Sequence, residues 1–367
     1  GVTIEDMGAG GGVANSTADN ITIVSAGTLS VSGATDADGD TGGISNEDGG
    51  NIVLTTTGTN DLTISGDVEV NDSDATEGDG DGNIDINSGQ DVIVNNNASV
   101  NVDNEGQIMI DATRAISVST TNADVTSVDG SIALTANAGG ATGNFVGITI
   151  DDATVTTSTG AVSLTGTGGD TGDSNHGVEI HNAATVESNG AAGTITIMGT
   201  GGAGAASNGV LIDDTGTLVD TGGANATISI TGTTTGNHGV ELSDAVISAD
   251  AAGATITIMG TTTANAATSD GVNINSSNAQ VESNAGAISI TGTTAGGGTA
   301  GDGVEIAAGV TEAIDANNAA TILVTGIGDG TDVGVQIDSP ISSATGTVTI
   351  RSDDGGSAND DITFGAA

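Results

Sequence analysis

The sequence contains no cysteine, tryptophan, tyrosine or lysine, and its only aromatic residues are Phe145 and Phe364. Aromatic side chains supply much of the buried area of an ordinary globular core. Here that area must come from Val, Ile, Leu and Ala, so we expect a thin and regular core. The single proline fits a chain made mostly of strands, because proline cannot donate a hydrogen bond within a sheet.

Positive charge is almost absent: Arg114 and Arg351 stand against 48 acidic residues, which gives a net charge of −46. Such a chain repels phosphates, which excludes nucleic-acid binding through a basic surface and disfavours anionic membranes. No run approaches the ~18 apolar residues of a membrane-spanning helix, so we expect no membrane insertion. The surplus of carboxylates indicates solubility in a salty medium, capture of cations such as Ca²⁺, or both.

A short motif recurs along the chain. It reads GVEI at 177–180, and its variants are spaced by 30, 32, 30, 32, 32 and 31 residues. Each unit continues with a weaker strand such as TVES (185–188) and a stronger one such as TISITG (227–232). The motif glycines are Gly147, Gly177, Gly209, Gly239, Gly271, Gly303 and Gly334. Earlier units shrink to 24 residues, so the longer ones carry extra loop residues.

Three short strands per unit of 24–32 residues predict an all-β fold, a parallel β-helix or β-solenoid. Roughly a dozen coils would stack at ~4.8 Å each. Alternation with period two places Val178 and Ile180 inward and Glu179 outward. The motif glycines, for example Gly177, Gly209 and Gly239, are expected at a corner with positive φ.

The repeats divide one continuous solenoid into two parts. Residues 1–146 form irregular coils with acidic loops, and residues 147–367 form regular repeats of about 31 residues. Both ends continue the repeat, with GVTI at 1–4 and DITF at 361–364, and neither end has the character of a polar cap. We therefore expect either a segment of a longer solenoid or copies that stack end to end.

The pattern GVxI … xVxS … GAISITGTT, strongest over 147–350, resembles the repeats of large bacterial surface and secreted proteins. These are the filamentous-haemagglutinin-like and β-strand-repeat proteins, of the large adhesin or extracellular fibre type. The resemblance covers most of the chain and is specific for architecture. It implies a parallel β-solenoid body, an extracellular or cell-surface location in bacteria, and a role in adhesion, biofilm or surface layers.

Two acidic segments are candidate Ca²⁺ sites. In DADGDTGGISNE, Asp36, Asp38 and Asp40 alternate, and Glu47 follows eleven residues after the first, close to the spacing of an EF-hand loop. Thr41 replaces the usual glycine and no helices flank the segment, so we predict an isolated Ca²⁺ loop. A solvated acidic turn is the alternative. The second segment, DSDATEGDGDGN, supplies Asp72, Asp74, Glu77, Asp79 and Asp81.

No enzyme activity is expected. Polysaccharide lyases that share this fold depend on Lys or Arg, and sugar-binding clefts usually carry stacking aromatics, both of which are scarce here. Paired carboxylates at Asp151/Asp152 or Asp213/Asp214 leave glycoside hydrolysis formally open.

Histidines are also few. His176 and His238 share one repeat position, but Asn208 stands at that position in the intervening unit and breaks the column. A turn residue is therefore a better interpretation than a metal-bridging pair, and His181 stands alone.

The sequence thus predicts an extracellular structural solenoid: a stalk, fibre or surface-layer subunit whose partner is a second copy of itself and which Ca²⁺ stabilises. The alternative is an adhesin segment that binds a surface glycan or a host surface through loops at 167–176 or 291–302. A minor alternative is ice binding by outward pairs such as Thr194 and Thr196. It ranks low because Thr is common at exposed strand positions without any such role.

Overall fold

The computed structural model describes residues 2–5, 13–15, 19–33, 43–46, 49–70, 82–103, 105–264, 268–295, 301–318, 320–328, 333–353 and 362–365. Within these ranges every helix or strand element is a strand, numbered β1 to β35 in chain order. The strands form a 23-stranded and a 12-stranded sheet whose neighbours run parallel. The described residues contain no helix that could cross a membrane. The predicted parallel β-solenoid is confirmed.

Each coil contributes one strand to each of three faces. The 23-stranded sheet bends and makes two of them. The first face contains β1 (Val2–Glu5), β4 (Leu29–Ser32), β7 (Leu62–Ser65), β10 (Val92–Val94), the first half of β13 (Ile116–Ser127), the first half of β15 (Ile148–Thr157), β17 (Val178–His181), β20 (Val210–Asp213), β23 (Val240–Ser243), β26 (Val272–Asn275), β29 (Val304–Ile306), β32 (Val335–Ile337) and β35 (Ile362–Phe364).

The second face contains the remaining halves of β13 and β15 together with β2 (Val13–Asn15), β5 (Ile44–Asn46), β8 (Val68–Val70), β11 (Ser99–Val102), β18 (Thr185–Ser188), β21 (Leu218–Thr221), β24 (Val246–Ala249), β27 (Gln280–Ser283), β30 (Ile314–Ala316) and β33 (Ile341–Ser343). The 12-stranded sheet is the third face: β3 (Ile21–Ser25), β6 (Ile52–Thr56), β9 (Ile84–Ser88), β12 (Ile108–Ala112), β14 (Ile132–Ala136), β16 (Val162–Thr167), β19 (Thr194–Thr200), β22 (Thr227–Thr234), β25 (Thr255–Thr262), β28 (Ile288–Thr294), β31 (Ile322–Ile327) and β34 (Val348–Ser352).

The core consists of ladders of aliphatic side chains. Successive coils stack Ile on Ile along the third face, as in Ile195, Ile228 and Ile256, which are all completely buried. Alternate positions point outward, as predicted: Val178 and Ile180 are buried, while the intervening glutamate is partly exposed. The described core residues are all Val, Ile, Leu or Ala. This composition fits a narrow tube in which each layer repeats the one below.

The shortest coils have the length that the repeat predicted. Ile84 pairs with Ile108, and Ile108 pairs with Ile132, each 24 residues further along the chain. Both sheets run on past residue 147, through the pairs β13–β15 and β14–β16.

The expectation of positive φ at Gly177, Gly209 and Gly239 is wrong, because the described positive-φ glycines lie elsewhere. Crowding explains these glycines instead. A Cβ on Gly177 would lie 2.2 Å from the backbone nitrogen of Thr200, and one on Gly209 would lie 2.3 Å from that of Thr233. The chain turns here from the third face to the first, at what we call the third corner, and only glycine lets the two backbones pass so closely.

Left-handed backbone occurs instead at the first corner, between the first and second faces. The residues that stack there are Asn122, Asp152, Asn182, Asp214, Asp244 and Ser276, all with φ between 51° and 74°. Asn and Asp tolerate this conformation because their short polar side chains bond locally. At the second corner, between the second and third faces, buried hydroxyls close the turn. Thr157 Oγ1, for example, donates to the carbonyl of Gly130 at 2.9 Å and accepts the N–H of Gly160 at 3.0 Å.

Candidate functional site

The predicted Ca²⁺ ligands lie outside the described residues, so their role stays a prediction. They are Asp36, Asp38, Asp40, Glu47, Asp72, Asp74, Asp79 and Asp81. Among the residues that the structure does describe, no group of three or more His, Asp or Glu side chains is placed to hold a metal ion.

The first corner carries an exposed polar cluster, which we call the acidic corner. His181 lies between two coils, with Nε2 3.9 Å from Asp151 Oδ1 and Nδ1 3.8 Å from Asp214 Oδ2. Asn182 donates from Nδ2 to Asp151 Oδ1 at 2.7 Å and from its backbone N–H to Asp214 Oδ2 at 3.3 Å. Asp151, Asp152, Asn182 and Asp214 line an open depression of about 760 Å³. The structure therefore brings the two predicted carboxylate pairs to one corner.

These carboxylates are engaged in the turn itself. Asp214 accepts the N–H of Asn182, and the backbone N–H of Asp214 bonds to Asp213 Oδ1 at 2.7 Å. Burial raises the pKa of the neighbouring Glu179, with His181 opposing the rise and the corner aspartates adding to it. The arrangement satisfies left-handed backbone in successive coils, and the open depression gives a ligand little enclosure.

The third corner carries a buried polar column, which we call the acceptor column: His176, Asn208, His238 and Asp270. Each side chain accepts the backbone N–H of the next member of the series. His176 Nδ1 accepts from Asn208 at 3.1 Å, and Asn208 Oδ1 accepts from His238 at 3.1 Å. His238 Nδ1 accepts from Asp270 at 3.0 Å, and Asp270 Oδ1 accepts from Asp302 at 2.7 Å.

Asn208 therefore continues the column that we expected it to break. What the position requires is a hydrogen-bond acceptor, and imidazole, amide and carboxylate all supply one. The interpretation of His176 and His238 as turn residues agrees with these bonds. The sequence contains a signal for this column, since the residue directly before each GV is a hydrogen-bond acceptor in five successive units. We did not recognise Asp270 and Asp302 as members of that series.

The pKa values of the two histidines of the acceptor column are shifted in opposite directions. Burial lowers the pKa of His176 to about 4, although Glu241 acts against this. Burial would also lower the pKa of His238, but the hydrogen bond with Asp270 and the charges of Glu241, Asp270 and Glu305 raise it overall. Asp270 Oδ2 lies 3.2 Å from His238 Nδ1.

A single Nδ1 cannot both accept the N–H of Asp270 and donate to its carboxylate. Neutral His238 accepts the backbone N–H, whereas protonated His238 donates to Oδ2 and forms a buried ion pair. Burial alone would raise the pKa of Asp270, but the bond to His238 and its charge lower it. The surrounding carboxylates raise the pKa of His238 and so favour its protonated state.

Carboxylates and amides alternate on the first face beside the acceptor column. The outward position reads Glu241, Asn273, Glu305 and Gln336 in successive coils. Asn273 Nδ2 donates to Glu305 Oε2 at 2.9 Å and to Asp270 Oδ2 at 2.6 Å. Like charges one coil apart would repel at ~4.8 Å, and the interposed amide of Asn273 separates Glu241 from Glu305 by two coils.

The charged form of Glu305 is still disfavoured in spite of its amide neighbours. Burial raises its pKa to about 7, with Asp270 and Asp302 adding to the rise and His238 opposing it.

A second carboxylate column lies on the second face. Glu187, Asp220, Ser248 and Glu282 occupy one outward position in successive coils. Burial raises the pKa of Asp220 to about 6, and Asp250 and Glu187 add to the shift, while Ser248 opposes it. Among the described strands from β14 to β33, the acidic residues thus lie on the first and second faces.

One of the two cations also has a local role. Arg114 forms an ion pair with Asp91 of the preceding coil, and its guanidinium carbon lies 5.9 Å from the centre of the Phe145 ring.

These features define the molecule as a parallel β-solenoid with an internally hydrogen-bonded polar column and partly buried carboxylate columns. No protein-family model, curated protein or solved structure matches the chain.

Proposed function

We propose that the protein is an extracellular structural solenoid, a stalk, fibre or surface-layer subunit of a bacterial cell surface. The observation that supports the proposal is that polar side chains at the corners bond to the backbone. At all three corners, polar side chains bond to the backbone of their own or an adjacent coil, as do Asp214 at the first, Thr157 at the second and His176 at the third. Such side chains serve the continuity and stiffness of the rod.

The edge coils support assembly between copies. At the far end of the described solenoid, Val348 is 39% exposed and Phe364 is 67% exposed, although both lie in strands. At the other end Ile23, an inward position of β3, is only partly buried. A parallel strand at an edge can template a further strand, so a second copy stacked head to tail would cover both apolar edges.

Ca²⁺ enters the proposal through the acidic segments at 36–47 and 72–81. Oxygen ligands in this density suit Ca²⁺ and would offset the repulsion between carboxylates of one chain or of two stacked chains.

The adhesin alternative rests on the loop at 167–176. Its backbone is held in place, since Asn175 Nδ2 donates to the carbonyls of Thr171 and Gly172 at 2.9 and 3.1 Å. An ordered exposed loop can present a binding surface for a glycan or a host protein. We give it second place because no cluster of convergent groups accompanies it among the described residues.

Electron microscopy of the purified chain, in millimolar Ca²⁺ and again with a chelator, tests the proposal. Filaments or sheets that dissolve on chelation are the expected result. The triple variant Asp36→Asn, Asp38→Asn, Asp40→Asn should form fewer filaments, whereas Asp170→Asn, in a loop of the regular part, should behave as the parent chain. Single rods in both conditions would refute assembly, and a glycan-array signal lost on changing loop 167–176 would favour the adhesin.

A further inference from the structure

The third face differs from the other two in charge. Seven successive strands of this face, β14, β16, β19, β22, β25, β28 and β31, contain no Asp, Glu, Arg or His. The neighbouring strands on either side do carry charge, with Asp111 in β12 and Arg351 in β34. We call the outward surface of these seven strands the neutral face. It is unexpected in a chain with 48 acidic residues.

The same coils carry carboxylates on both other faces. Outward positions of the first face include Asp151, Glu179, Asp213, Glu241 and Glu305, and those of the second face include Glu187, Asp220, Glu282 and Asp315. Negative charge is therefore distributed by face and not evenly around the rod.

The neutral face is mostly an array of small hydroxyl residues, with four large apolar side chains at outward positions, Met198, Met259, Leu323 and Ile327. Its central column reads Thr135, Thr165, Met198, Thr231, Met259, Thr291 and Thr325. Met198 is 46% exposed and Met259 is 49% exposed, and one threonine coil separates them. A column of threonines lies beside them, with Thr200 and Thr233 in contact through their hydroxyls at 3.4 Å.

The size of the neutral face is that of a protein interface. Seven strands spaced by ~4.8 Å, each presenting about seven residues at ~3.3 Å, give about 700 Å². Two such faces in contact would bury about 1,400 Å², within the range of specific protein complexes at about 1,200–2,000 Å².

We propose that the neutral face is the surface through which two copies of this chain pair side by side. A like-charged rod approaching the first or second face would set carboxylates against carboxylates, whereas two neutral faces meet without such contacts. A two-fold axis that lies in the plane of contact, perpendicular to the rod and centred between two coils, places each methionine opposite a threonine of the other copy. Such a contact is self-complementary and closed. It does not depend on Ca²⁺ or on stacking at the ends.

Sedimentation velocity tests the pairing in a buffer with chelator, where Ca²⁺-dependent stacking cannot contribute. The parent chain should sediment as a dimer at micromolar concentration. Association should strengthen from 50 to 500 mM NaCl, because salt screens the repulsion between the acidic faces. Thr231→Asp should weaken association at least tenfold by placing a charge in the contact. Thr185→Asp, at an outward strand position of the second face, should leave association unchanged.

A second pair of variants distinguishes loss of contact from loss of fold. The chain has no native cysteine, so Thr231→Cys and Thr185→Cys each introduce one thiol. A short bis-maleimide should link copies through position 231 and not through position 185. A monomeric parent chain, or a dimer indifferent to Thr231→Asp, would overturn the proposal. A monomer that shapes growing ice crystals would assign the neutral face to ice.

Discussion

At the third corner, residues of three different chemical types occupy equivalent positions, because the backbone N–H of the adjoining coil needs only a hydrogen-bond acceptor. His176, Asn208 and Asp270 each receive an N–H from the adjoining coil. The choice among them changes nothing in the hydrogen-bond pattern but changes how the position responds to protons. Histidine titrates near neutrality, whereas asparagine does not titrate. The identity of this one residue in each coil therefore determines how the stability of the third corner depends on pH.

His176 should make the protein sensitive to acid. Its pKa is lowered from 6.5 to about 4 by burial, so the unfolded chain binds the proton more tightly than the folded chain. The stability that neutral His176 contributes is complete above pH 6.5 and is lost as the pH falls towards 4, with a loss of about 2–3 kcal/mol. We expect His176→Asn, which copies Asn208, to keep the acceptor and to remove this loss. Urea midpoints at pH 7.5 and 4.5 measure the effect.

The matched comparison is His238→Asn, which should act in the opposite direction. The pKa of His238 is raised by its carboxylate partners in spite of burial. Its stabilising contribution is complete below pH 6.5 and is lost as the pH rises through the folded-state pKa, so this substitution should cost most in acid. Equal pH dependence of both variants would contradict the assignment of a neutral His176 and a charged His238.

At the scale of the strand and turn, two rows of glycine determine how closely the third and first faces approach. A Cβ on Gly232, in β22, would lie 1.9 Å from the carbonyl oxygen of Gly239. Equivalent contacts recur in adjacent coils, for example between Gly199 and Gly209 and between Gly260 and Gly271. These glycines are conserved through the repeat within this one chain because the backbone passes so closely at each coil.

Gly232→Ala should therefore destabilise the coil that contains it. The methyl group cannot fit without a shift of backbone, and overpacking of this kind costs about 1–3 kcal/mol. Gly139→Ala is the control, because a Cβ there meets no atom within 4 Å. Urea midpoints should fall for the first variant and stay within about 0.5 kcal/mol for the second. A Gly232→Ala protein as stable as the parent would show that the coils can move apart at this corner.

The strands could be predicted from the sequence because their alternation and spacing repeat. The inward Val178 and Ile180 and the 24-residue coil were both predicted correctly. The reason for the corner glycines was not predicted correctly. A sequence motif shows where a glycine recurs, but it does not show whether a positive φ or the close approach of another backbone segment requires it. Gly177 illustrates this, since its constraint comes from Thr200 of the following third-face strand.

The polar columns were harder to predict because they depend on register between coils. Asp270 and His238 are 32 residues apart, and the loops between successive coils vary in length, so their contact is visible only once strands are paired. The neutral face shares this difficulty. Met198 and Met259 belong to one column only through the register of β19, β22 and β25. The sequence indicated the carboxylate pairs of the acidic corner only as candidates for hydrolysis, and it gave no sign that they bond within the turn.

At the scale of the whole molecule, the dominant property is a net charge of −46 on a rod whose coils are about 4.8 Å apart. Repulsion within such a charge distribution opposes the compact state. The raised pKa of Asp220, due to burial and to its carboxylate neighbours Asp250 and Glu187, is a local sign of that repulsion. Cations, whether diffuse or bound, should therefore stabilise this fold.

Thermal unfolding should separate screening from specific Ca²⁺ binding. We expect Tm to rise by several degrees between 20 and 500 mM NaCl, because the Debye length falls from about 20 Å to a few ångströms and carboxylates in neighbouring coils repel less. Millimolar CaCl₂ should raise Tm further than NaCl of equal ionic strength, since Ca²⁺ gains several carboxylate ligands at once and binds the folded chain preferentially.

The excess effect of Ca²⁺ should be reduced in the variant Asp36→Asn, Asp38→Asn, Asp40→Asn, while its response to NaCl should persist. MgCl₂ at the same concentration provides a further control, because Mg²⁺ sheds its water reluctantly and matches an irregular oxygen loop less well. A Tm indifferent to NaCl would mean that the rod tolerates its charge without screening. A Ca²⁺ effect equal to that of NaCl would reduce the acidic segments at 36–47 and 72–81 to solvated turns, and the ion would then act on the molecule only as diffuse charge.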